Sequence, residues 1–302
     1  MKVFAPKYYK EFKCIADKCT HSCCVGWEID VDKETLKKYE SSKGRYFDSI
    51  RNSLDLSDTP HIKLLSNERC PHLDENRLCK IITECGEEYL CEICKEHPRF
   101  YNKTVKGLEA GLGMSCEEAA RIILSSDDYA EYEVIDEADE EPFFDSFDAT
   151  QKREEIYLIL SDKKLNYSNK LEKIYNKYNV SPSKISDAGW REVISSLELL
   201  DEENRARFLA YSSDLKTPRE YEKILERAFA YFVYRHTSDK SNEADFLAAL
   251  GFACFMERLF ASVLKAEKTN LSGSVLIGRI ISEEIEYSEE NTENIILEFQ
   301  FV

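Results

Sequence analysis

Cysteine is the residue type whose number and spacing in this chain point most directly to chemistry. There are 11 cysteines, an odd number, and all but Cys254 lie between Cys14 and Cys116. No apolar stretch near the N-terminus is long enough for a signal peptide, which predicts a reducing, cytoplasmic location. Stable disulfides are rare in such a compartment, so the clustering predicts a metal-binding or redox site.

The cysteines form two groups that can converge on one metal, since a thiolate cage needs four soft ligands at one point. The first group is C-x4-C-x3-CC at 14–24, and the second spans 70–94. The C-x2-C pair common in zinc fingers occurs once, at Cys91 and Cys94, and two adjacent cysteines are awkward for one tetrahedral zinc. Nine or ten cysteines exceed one four-ligand site, so a second site, substrate-gated ligands and simple core thiols all stay open. Cys85 and Cys254 are the weakest candidates.

Charge narrows the partners that the chain can bind. The formal net charge is -17, which argues against nucleic acid, because phosphate backbones need basic patches. Residues 127–141 hold nine acidic residues and no basic one, which predicts a solvated linker. A docking strip for a lysine-rich protein is the alternative. No run of eighteen apolar residues occurs, so no membrane span is predicted.

The chain is predicted to be mainly α and to have three parts. Residues 1–126 form an irregular cysteine-rich module for a metal or iron–sulfur cluster, with short strands. Residues 127–150 are the acidic linker, and residues 151–302 form a helical domain.

Local patterns in the first part predict short elements. Residues 25–31 read as an extended segment, followed by a helix that Asp32 caps. Residues 101–113 resemble a hairpin that turns near Gly107. Ser115 and Glu118 form an S-x-x-E capping box, which places Cys116 in the first turn of a helix.

The remainder reads as helical. Thr217 is the predicted cap of a helix that continues to about residue 236, and further helices are predicted at 152–178, 187–211 and 243–266. The last of these is apolar on most sides, which predicts a buried central helix with Cys254 as a small core residue. The tail, 294–302, is predicted to be a strand.

A set of motifs carries a family resemblance. F-x-C and C-x3-CC-x-GW-x-I-x-V lie between Phe12 and Val31, and CPHL, LC-x-I, GE, LC-x2-C-x3-PR and SCEEAARIIL follow. Together they resemble the flagellin lysine N-methylase family, and the first part also resembles the wider group of CxxCxxCC zinc- or iron-chelating domains. In the helical half, YFVYRH is similar to that family's Tyr-Arg helix.

The resemblance implies methyl transfer from S-adenosylmethionine to lysine side chains of a protein substrate, possibly flagellin, with a [4Fe-4S] cluster on the cysteine module. Zinc is the alternative metal. Cys85 is outside the pattern, and the resemblance does not select the four ligands. The matching cysteines are Cys14, Cys19, Cys23, Cys24, Cys70, Cys79, Cys91, Cys94 and Cys116.

Lysine methylation also needs a group that removes the ammonium proton, and carboxylates and tyrosines suit that work. Position near the motifs suggests Glu28, Asp30, Tyr231 and Tyr234, for which ordinary surface or core roles are the alternative. Arg99 and Arg235 are predicted to hold the carboxylate of S-adenosylmethionine, and structural salt bridges are the alternative. Among the histidines, His21 and His97 are the better candidate metal ligands, ahead of His72 and His236.

Two motifs and two rival functions complete the interpretation. Residues 109–113 match the E-x-G-x-G loop of Rossmann-type methyltransferases, but no strand–helix alternation follows and the flanks fit a hairpin. The spacing C-x4-C-x3-CC does not match the C-x3-C-x2-C signature of radical S-adenosylmethionine enzymes.

The same cysteines suit a non-catalytic metal- or cluster-binding protein with a structural or sensing role, or a metal chaperone.

Overall fold

The computed structural model describes residues 1–27, 29–138 and 147–300, and most of these residues are helical, which confirms the mainly α class. Seven strands lie within them: β1 (Lys2–Pro6), β2 (Ile29–Asp30), β3 (Leu54–Asp55), β4 (His61–Ile62), β5 (Arg99–Thr104), β6 (Gly107–Leu112) and β7 (Tyr132–Glu137). The same residues hold thirteen α-helices: α1 (Lys33–Ser41), α2 (Arg45–Asn52), α3 (Lys80–Cys85), α4 (Glu92–Glu96), α5 (Glu117–Ser125), α6 (Ala149–Leu160), α7 (Tyr167–Tyr178), α8 (Asp187–Ser196), α9 (Glu203–Phe208), α10 (Glu222–Thr237), α11 (Glu243–Glu267), α12 (Leu271–Ile281) and α13 (Glu289–Gln300).

The chain divides into two compact units. Residues 13–98 form one, here called the cysteine unit, and residues 1–12 and 99–302 form the other, the helical unit. These bounds differ from the predicted ones because β5 and β6 hydrogen-bond in one sheet with β1. The predicted acidic linker contains β7, which pairs with β1, while its residues 139–146 lie outside the described residues.

The sheet of the helical unit has the order β5-β6-β1-β7, with β1 parallel to β6 and antiparallel to β7. The predicted hairpin is confirmed: β5 and β6 are antiparallel, and Thr104 pairs with Gly107 at the turn. Gly107 has a φ of +147°, and a Cβ there would lie 2.3 Å from the carbonyl oxygen of Lys2. The turn therefore needs glycine both for its conformation and for its contact with β1.

Helix α11 is the buried centre of the helical unit, as its sequence predicted. By length and composition it resembles a membrane span, but 94% of its apolar window is buried inside the protein. Packing around it is aromatic: the Trp190 ring lies 4.6 Å from Phe255 and 5.4 Å from Phe299. Cys254 is fully buried in α11, which confirms its prediction as a core residue. The apolar surface of α11 is therefore covered by other parts of the chain, as is usual for a core helix.

Of the two helix starts predicted in the first part of the chain, one is correct and one is wrong. The Asp32 carboxylate accepts the amide N–H of Thr35 at 2.9 Å and caps α1 as predicted. Ser115 caps nothing, because α5 begins one residue later and Cys116 itself holds the N-cap position. Its expected partner, Glu118, binds Arg121 instead, at 2.6 and 2.7 Å.

Three other predictions in the helical half need correction. Thr217 does not cap α10, because a 3₁₀ turn intervenes and its hydroxyl accepts from Arg258 at 3.0 Å. The predicted helices 152–178 and 187–211 are each two helices, α6 with α7 and α8 with α9. The tail is the helix α13 as far as residue 300, since it buries Ile295 and Asn291 on one side against the unit.

The cysteine unit has a small core. Its sheet has the order β2-β4-β3, and Ile29 and Ile62 face each other across it. The buried residues are Ile29, Val31, Tyr39, Ile50, Leu54, Ile62, Cys70, Ile81 and Cys91. Two of these nine are cysteines, so thiols form part of the unit's interior. The extended segment predicted at 25–31 is confirmed at β2, and Glu28 lies outside the described residues.

Candidate functional site

Main-chain hydrogen bonds join the two cysteine groups. The amide of Cys70 donates to the carbonyl oxygen of Cys24 at 2.8 Å, and the amide of Gly26 donates to that of Glu68 at 2.9 Å. Between them, Val25 and Arg69 form an antiparallel bridge. The backbone therefore places the end of the first group beside the start of the second.

Two further members of the second group, Cys79 and Cys91, lie at the starts of two short helices. Cys79 precedes α3 and Cys91 precedes α4, each in extended conformation, and Cys94 lies within α4. The antiparallel bridge from Leu73 to Cys79 returns the chain to the loop that follows Cys70. The amide of Lys95 donates to the carbonyl of Cys91 at 3.0 Å, which closes the C-x2-C turn.

Five of the predicted ligands influence one another electrostatically and are here called the thiol cluster: Cys24, Cys70, Cys79, Cys91 and Cys94. Burial raises the pKa of Cys70 to about 12, and it also raises the pKa of Cys79, with negative charge on Cys24 and Cys91 adding to the effect. The cluster therefore keeps these two as thiols while no metal is bound.

Two sulfur–sulfur hydrogen bonds have the opposite effect, one within the cluster and one that joins Cys24 to Cys23 outside it. A hydrogen bond from Cys23 lowers the pKa of Cys24 to about 7 despite burial. A hydrogen bond from Cys94 likewise lowers the pKa of Cys91, and the same bond raises that of Cys94. Each pair has one sulfur as the acceptor and one as the donor, which favours the thiolate form of Cys24 and of Cys91 over that of their partners.

The other predicted cysteine ligands are placed differently. Cys14 and Cys23 are exposed, and Cys19 is half-buried with its carbonyl accepting from Arg77 at 2.7 Å. Cys116 belongs to the helical unit. Among residues 1–27, 29–138 and 147–300, no three His, Cys, Asp or Glu side chains have the arrangement of a formed metal site. The predicted ligand set therefore stays a prediction, for which the thiol cluster supplies the donors.

Two histidines of the cysteine unit, His72 and His97, have hydrogen-bonding and packing roles. His72 is buried, its Nδ1 lies 2.9 Å from the Tyr46 hydroxyl, and its Nε2 lies 2.9 Å from the Ser53 hydroxyl. Both ring nitrogens are thus occupied, and burial lowers the pKa of His72 to about 4. His97 packs edge-on against Trp27, with ring centroids 6.0 Å apart.

The two predicted cofactor arginines differ in what they contact. The Arg99 guanidinium lies 5.4 Å from the ring centre of Phe12 and 6.0 Å from that of Tyr9, and no carboxylate pairs with it in the described part of the chain. The Arg235 guanidinium lies between the rings of Phe100 and Tyr287, at 4.9 and 4.6 Å. Its Nε is 3.5 Å from a carboxylate oxygen of Glu286, so the alternative of a structural salt bridge applies to Arg235.

Arg235 belongs to a buried polar network that sequence reasoning found only in part. Tyr231 accepts from Arg235 at 3.0 Å and donates to Glu286 at 3.0 Å, while its hydroxyl also accepts the amide of Met114 at 3.1 Å. The nearest oxygen of Glu286 lies 2.6 Å from Nε2 of His236. Glu286 sits in a π-helical turn, Ser282–Glu286, and no motif in the sequence marks it.

The E-x-G-x-G match has a structural explanation. Glu109 makes two hydrogen bonds to the buried Arg153, at 2.6 and 2.7 Å. A Cβ at Gly111 would lie 2.2 Å from the Phe100 ring, and one at Gly113 would lie 2.2 Å from the Tyr287 hydroxyl. Side chains of the same unit occupy the space that the glycines leave, in agreement with the hairpin interpretation.

Asp30 and Tyr234, the two remaining candidates for removing the lysine proton, lie in different surroundings. Asp30 is exposed on β2, where it pairs with His61 in the β4 register. Tyr234 is buried, stacks on Tyr132 at 5.4 Å and donates to the carbonyl of Ala110 at 2.9 Å. Tyr234 is therefore an ordinary core residue, the role that was the alternative to proton removal in the sequence analysis.

The chain is similar in sequence to three curated proteins. It is 33% identical over 133 residues to the flagellar biosynthetic protein FliU of Salmonella muenchen, which is 42% of this chain and 79% of that protein. It is also 33% identical over 133 residues to lysine-N-methylases of Salmonella typhimurium and Salmonella choleraesuis. The match spans 33% of the length of each of these two. No protein-family model and no solved structure matches the chain.

Proposed function

Because the chain belongs to the flagellin lysine N-methylase family, we propose that it transfers methyl groups to lysine side chains of a protein substrate. Two of the similar proteins are named lysine-N-methylase, and the third is named a flagellar biosynthetic protein. A flagellin-type protein is the proposed substrate. The net charge of -17 supports this choice, since an acidic protein attracts a lysine-bearing partner.

S-adenosylmethionine is the proposed methyl donor, and a [4Fe-4S] cluster is the proposed metal group. The thiol cluster supports the second proposal and is the observation that carries the function. Iron–sulfur clusters are held by cysteine thiolates, and five cysteine side chains share one largely buried region of the cysteine unit. Four of the five would hold the cluster, which when bound supplies one-electron chemistry or a structural crosslink.

Residues of the chain must perform two further tasks in this reaction. The donor's carboxylate needs a cation, and Arg99 is the better of the two predicted arginines because no carboxylate in the described residues pairs with it. The substrate's ammonium group must also lose a proton, since only a neutral amine has the lone pair that attacks a methyl group.

The first experiment is an oxygen-free purification, with iron, sulfide and zinc measured per chain and S-adenosylmethionine titrated while the visible spectrum is recorded. Transfer of labelled methyl groups to purified flagellin is then measured. About four irons with sulfide, a spectrum that responds to the donor, and labelled lysine support the proposal. Protein that holds the cluster, yet neither binds the donor nor methylates flagellin, contradicts it.

A structural metal site is the second candidate function, and the small core of the cysteine unit favours it. Small units with few buried apolar residues often need a metal to fold. One or two zinc ions per chain, without sulfide or donor binding, would support a non-catalytic role. In a chaperone, whose exposed thiols at Cys14 and Cys23 would pass an ion on, metal loss would leave the fold intact. Each of these roles requires reduced thiols, and we propose a cytoplasmic location for the chain.

A further inference from the structure

His236 and Glu286 form a histidine–carboxylate pair inside the helical unit. Nε2 of His236 lies 2.6 Å from a carboxylate oxygen of Glu286. The Glu286 side chain is fully buried, whereas the His236 side chain keeps 12% of its surface exposed. A buried carboxylate that orients an imidazole with access to solvent is the arrangement by which enzymes build a general base.

The carboxylate is held in place from several sides. Tyr231 donates to its second oxygen at 3.0 Å, and Arg235 lies 3.5 Å from the oxygen that His236 contacts. Burial opposes ionisation, but the charge of Arg235 and the hydrogen bond with His236 outweigh it and lower the pKa of Glu286. Its π-helical turn is an independent indication, because such turns are rare and frequently lie at functional sites.

The imidazole is the partner whose protonation can change. An ionised carboxylate only accepts hydrogen bonds, so Nε2 of His236 carries the proton and Nδ1 carries the lone pair. Burial lowers the pKa of His236, Glu286 opposes this, and the charges of Arg235 and Lys240 add to the lowering. From α11, the apolar ring of Phe252 packs edge-on at 4.6 Å. The imidazole is therefore neutral at neutral pH, as a proton acceptor must be.

We propose that His236 accepts the proton of the substrate lysine and that Glu286 is the positioning residue that fixes its tautomer. This assignment rests on the proposed methyl transfer. The Nζ–H bond of the ammonium breaks, its electron pair stays on nitrogen, and the proton moves to Nδ1. The nitrogen lone pair then forms the N–C bond to the methyl group of a sulfonium donor. The C–S electron pair stays on sulfur, which leaves as a neutral thioether.

The test compares kcat as a function of pH for the full-length protein, with labelled S-adenosylmethionine and two acceptors, purified flagellin and poly-L-lysine. The variants are His236→Gln and Glu286→Gln. The matched controls are His61→Gln in the cysteine unit and Glu289→Gln, an exposed glutamate three residues after Glu286. Added imidazole tests chemical rescue, which a purely structural loss would not show.

We expect His236→Gln to lower kcat at pH 7 by about 100-fold or more, with an unchanged KM for the donor and partial rescue by imidazole. The wild type should lose activity as acid protonates His236, and Glu286→Gln should move that loss to lower pH. Wild-type rates under His236→Gln, or an acid loss of activity that Glu286→Gln leaves at the same pH, would overturn the assignment. A wild-type kcat that shows no loss in acid down to the pH at which the protein unfolds would also overturn it, and this result needs no variant to fold. A wild type that methylates neither acceptor rejects the proposed function, whereas an active His236→Gln rejects only the role of the pair.

Discussion

The amide of Cys70 donates to the carbonyl oxygen of Cys24 across 2.8 Å, so two cysteines 46 positions apart are joined by main chain rather than by their sulfurs. The bond involves neither side chain, so substitution of one thiol does not remove it directly. The two cysteine groups thus have a main-chain contact besides any metal that holds their sulfurs. This separates the loss of a ligand from the loss of the scaffold in experiments on single cysteines.

Serine substitutions in the thiol cluster should lower the iron content. We expect four of the five variants Cys24→Ser, Cys70→Ser, Cys79→Ser, Cys91→Ser and Cys94→Ser to lose more than half of the iron and sulfide per chain, because a four-thiolate cage tolerates few substitutions. Cys85→Ser is the matched control, since Cys85 lies in the same unit at the end of α3 but outside the cluster. Equal losses in the control would argue against a cluster site at these five residues.

Removing the metal should unfold the cysteine unit selectively. A metal that binds only the folded state adds its binding energy to the free energy of unfolding. With only nine buried residues in its core, two of them cysteines, the unit has little other stabilisation. We expect a chelator to abolish hydrogen-exchange protection in residues 13–98 and to leave α11 protected. Unchanged protection in 13–98 would favour the chaperone alternative.

Substitution of Arg99 should weaken binding of the methyl donor. Loss of a charged hydrogen bond costs about 1.5–3 kcal/mol, so Arg99→Met should raise the Kd for S-adenosylmethionine roughly 10- to 100-fold. Iron content should not change. Arg121→Met is a suitable control, because Arg121 pairs with Glu118 within the same helix. Calorimetric titration measures both variants, and equal affinities would remove Arg99 from the donor site.

The buried Glu109–Arg153 pair should matter for stability. Arg153 lies between the rings of Tyr132 and Tyr234, each 4.9 Å away, and its only carboxylate partner in the described residues is Glu109. Glu109→Gln leaves a buried cation unpaired, which should cost about 3–5 kcal/mol. The control Glu154→Gln breaks an exposed ion pair with Lys106 and should cost less than about 1 kcal/mol. Urea unfolding distinguishes the two, and similar losses would contradict the prediction.

Asp187 should give the helical unit a pH-dependent contribution. Burial opposes its ionisation, but bonds from the amide and hydroxyl of Ser213, at 2.8 and 2.6 Å, and from Ser212 lower the pKa of Asp187. A lowered carboxyl pKa stabilises the fold above the unfolded-state value, near 4, and the contribution is lost as pH falls through the folded-state value. Asp187→Asn should therefore cost about 1 kcal/mol at pH 7 and nothing in strong acid. Unfolding midpoints at both pH values, with Glu192→Gln as the exposed control, check this.

Periodicity and turn chemistry predicted the local structure well where the signal was short-range. The Asp32 cap, the hairpin at Gly107 and the apolar helix α11 all depend on neighbouring residues. The predicted capping box of Ser115 failed because Glu118 pairs with Arg121 within the same helix. The predicted Thr217 cap failed because a tertiary partner overrode the local motif, since the Thr217 hydroxyl accepts from Arg258.

The candidate site shows the same limit at longer range. Clustering of cysteines identified the candidate donors, but the grouping of Cys24, Cys70 and Cys79 depends on backbone bridges between distant segments. Glu286 carries no motif and becomes recognisable only when α10 and the π-helical turn pack together. The prediction of a strand in the tail is wrong because the apolar run in α13 is short. A run of that length fits both the two-residue period of a strand and the 3.6-residue period of a helix.

The position of β1 between β6 and β7 has a consequence for synthesis of the protein. When β1 leaves the ribosome, both of its partners are still more than 100 residues away in the chain, at Leu108 and Val134. At the usual rate of elongation it waits roughly ten seconds for them. The cysteine unit is complete during that interval. Delivery of the proposed metal can therefore precede closure of the sheet, and on this proposal a shortage of metal would expose an unfinished chain to aggregation and proteolysis before its helices are made.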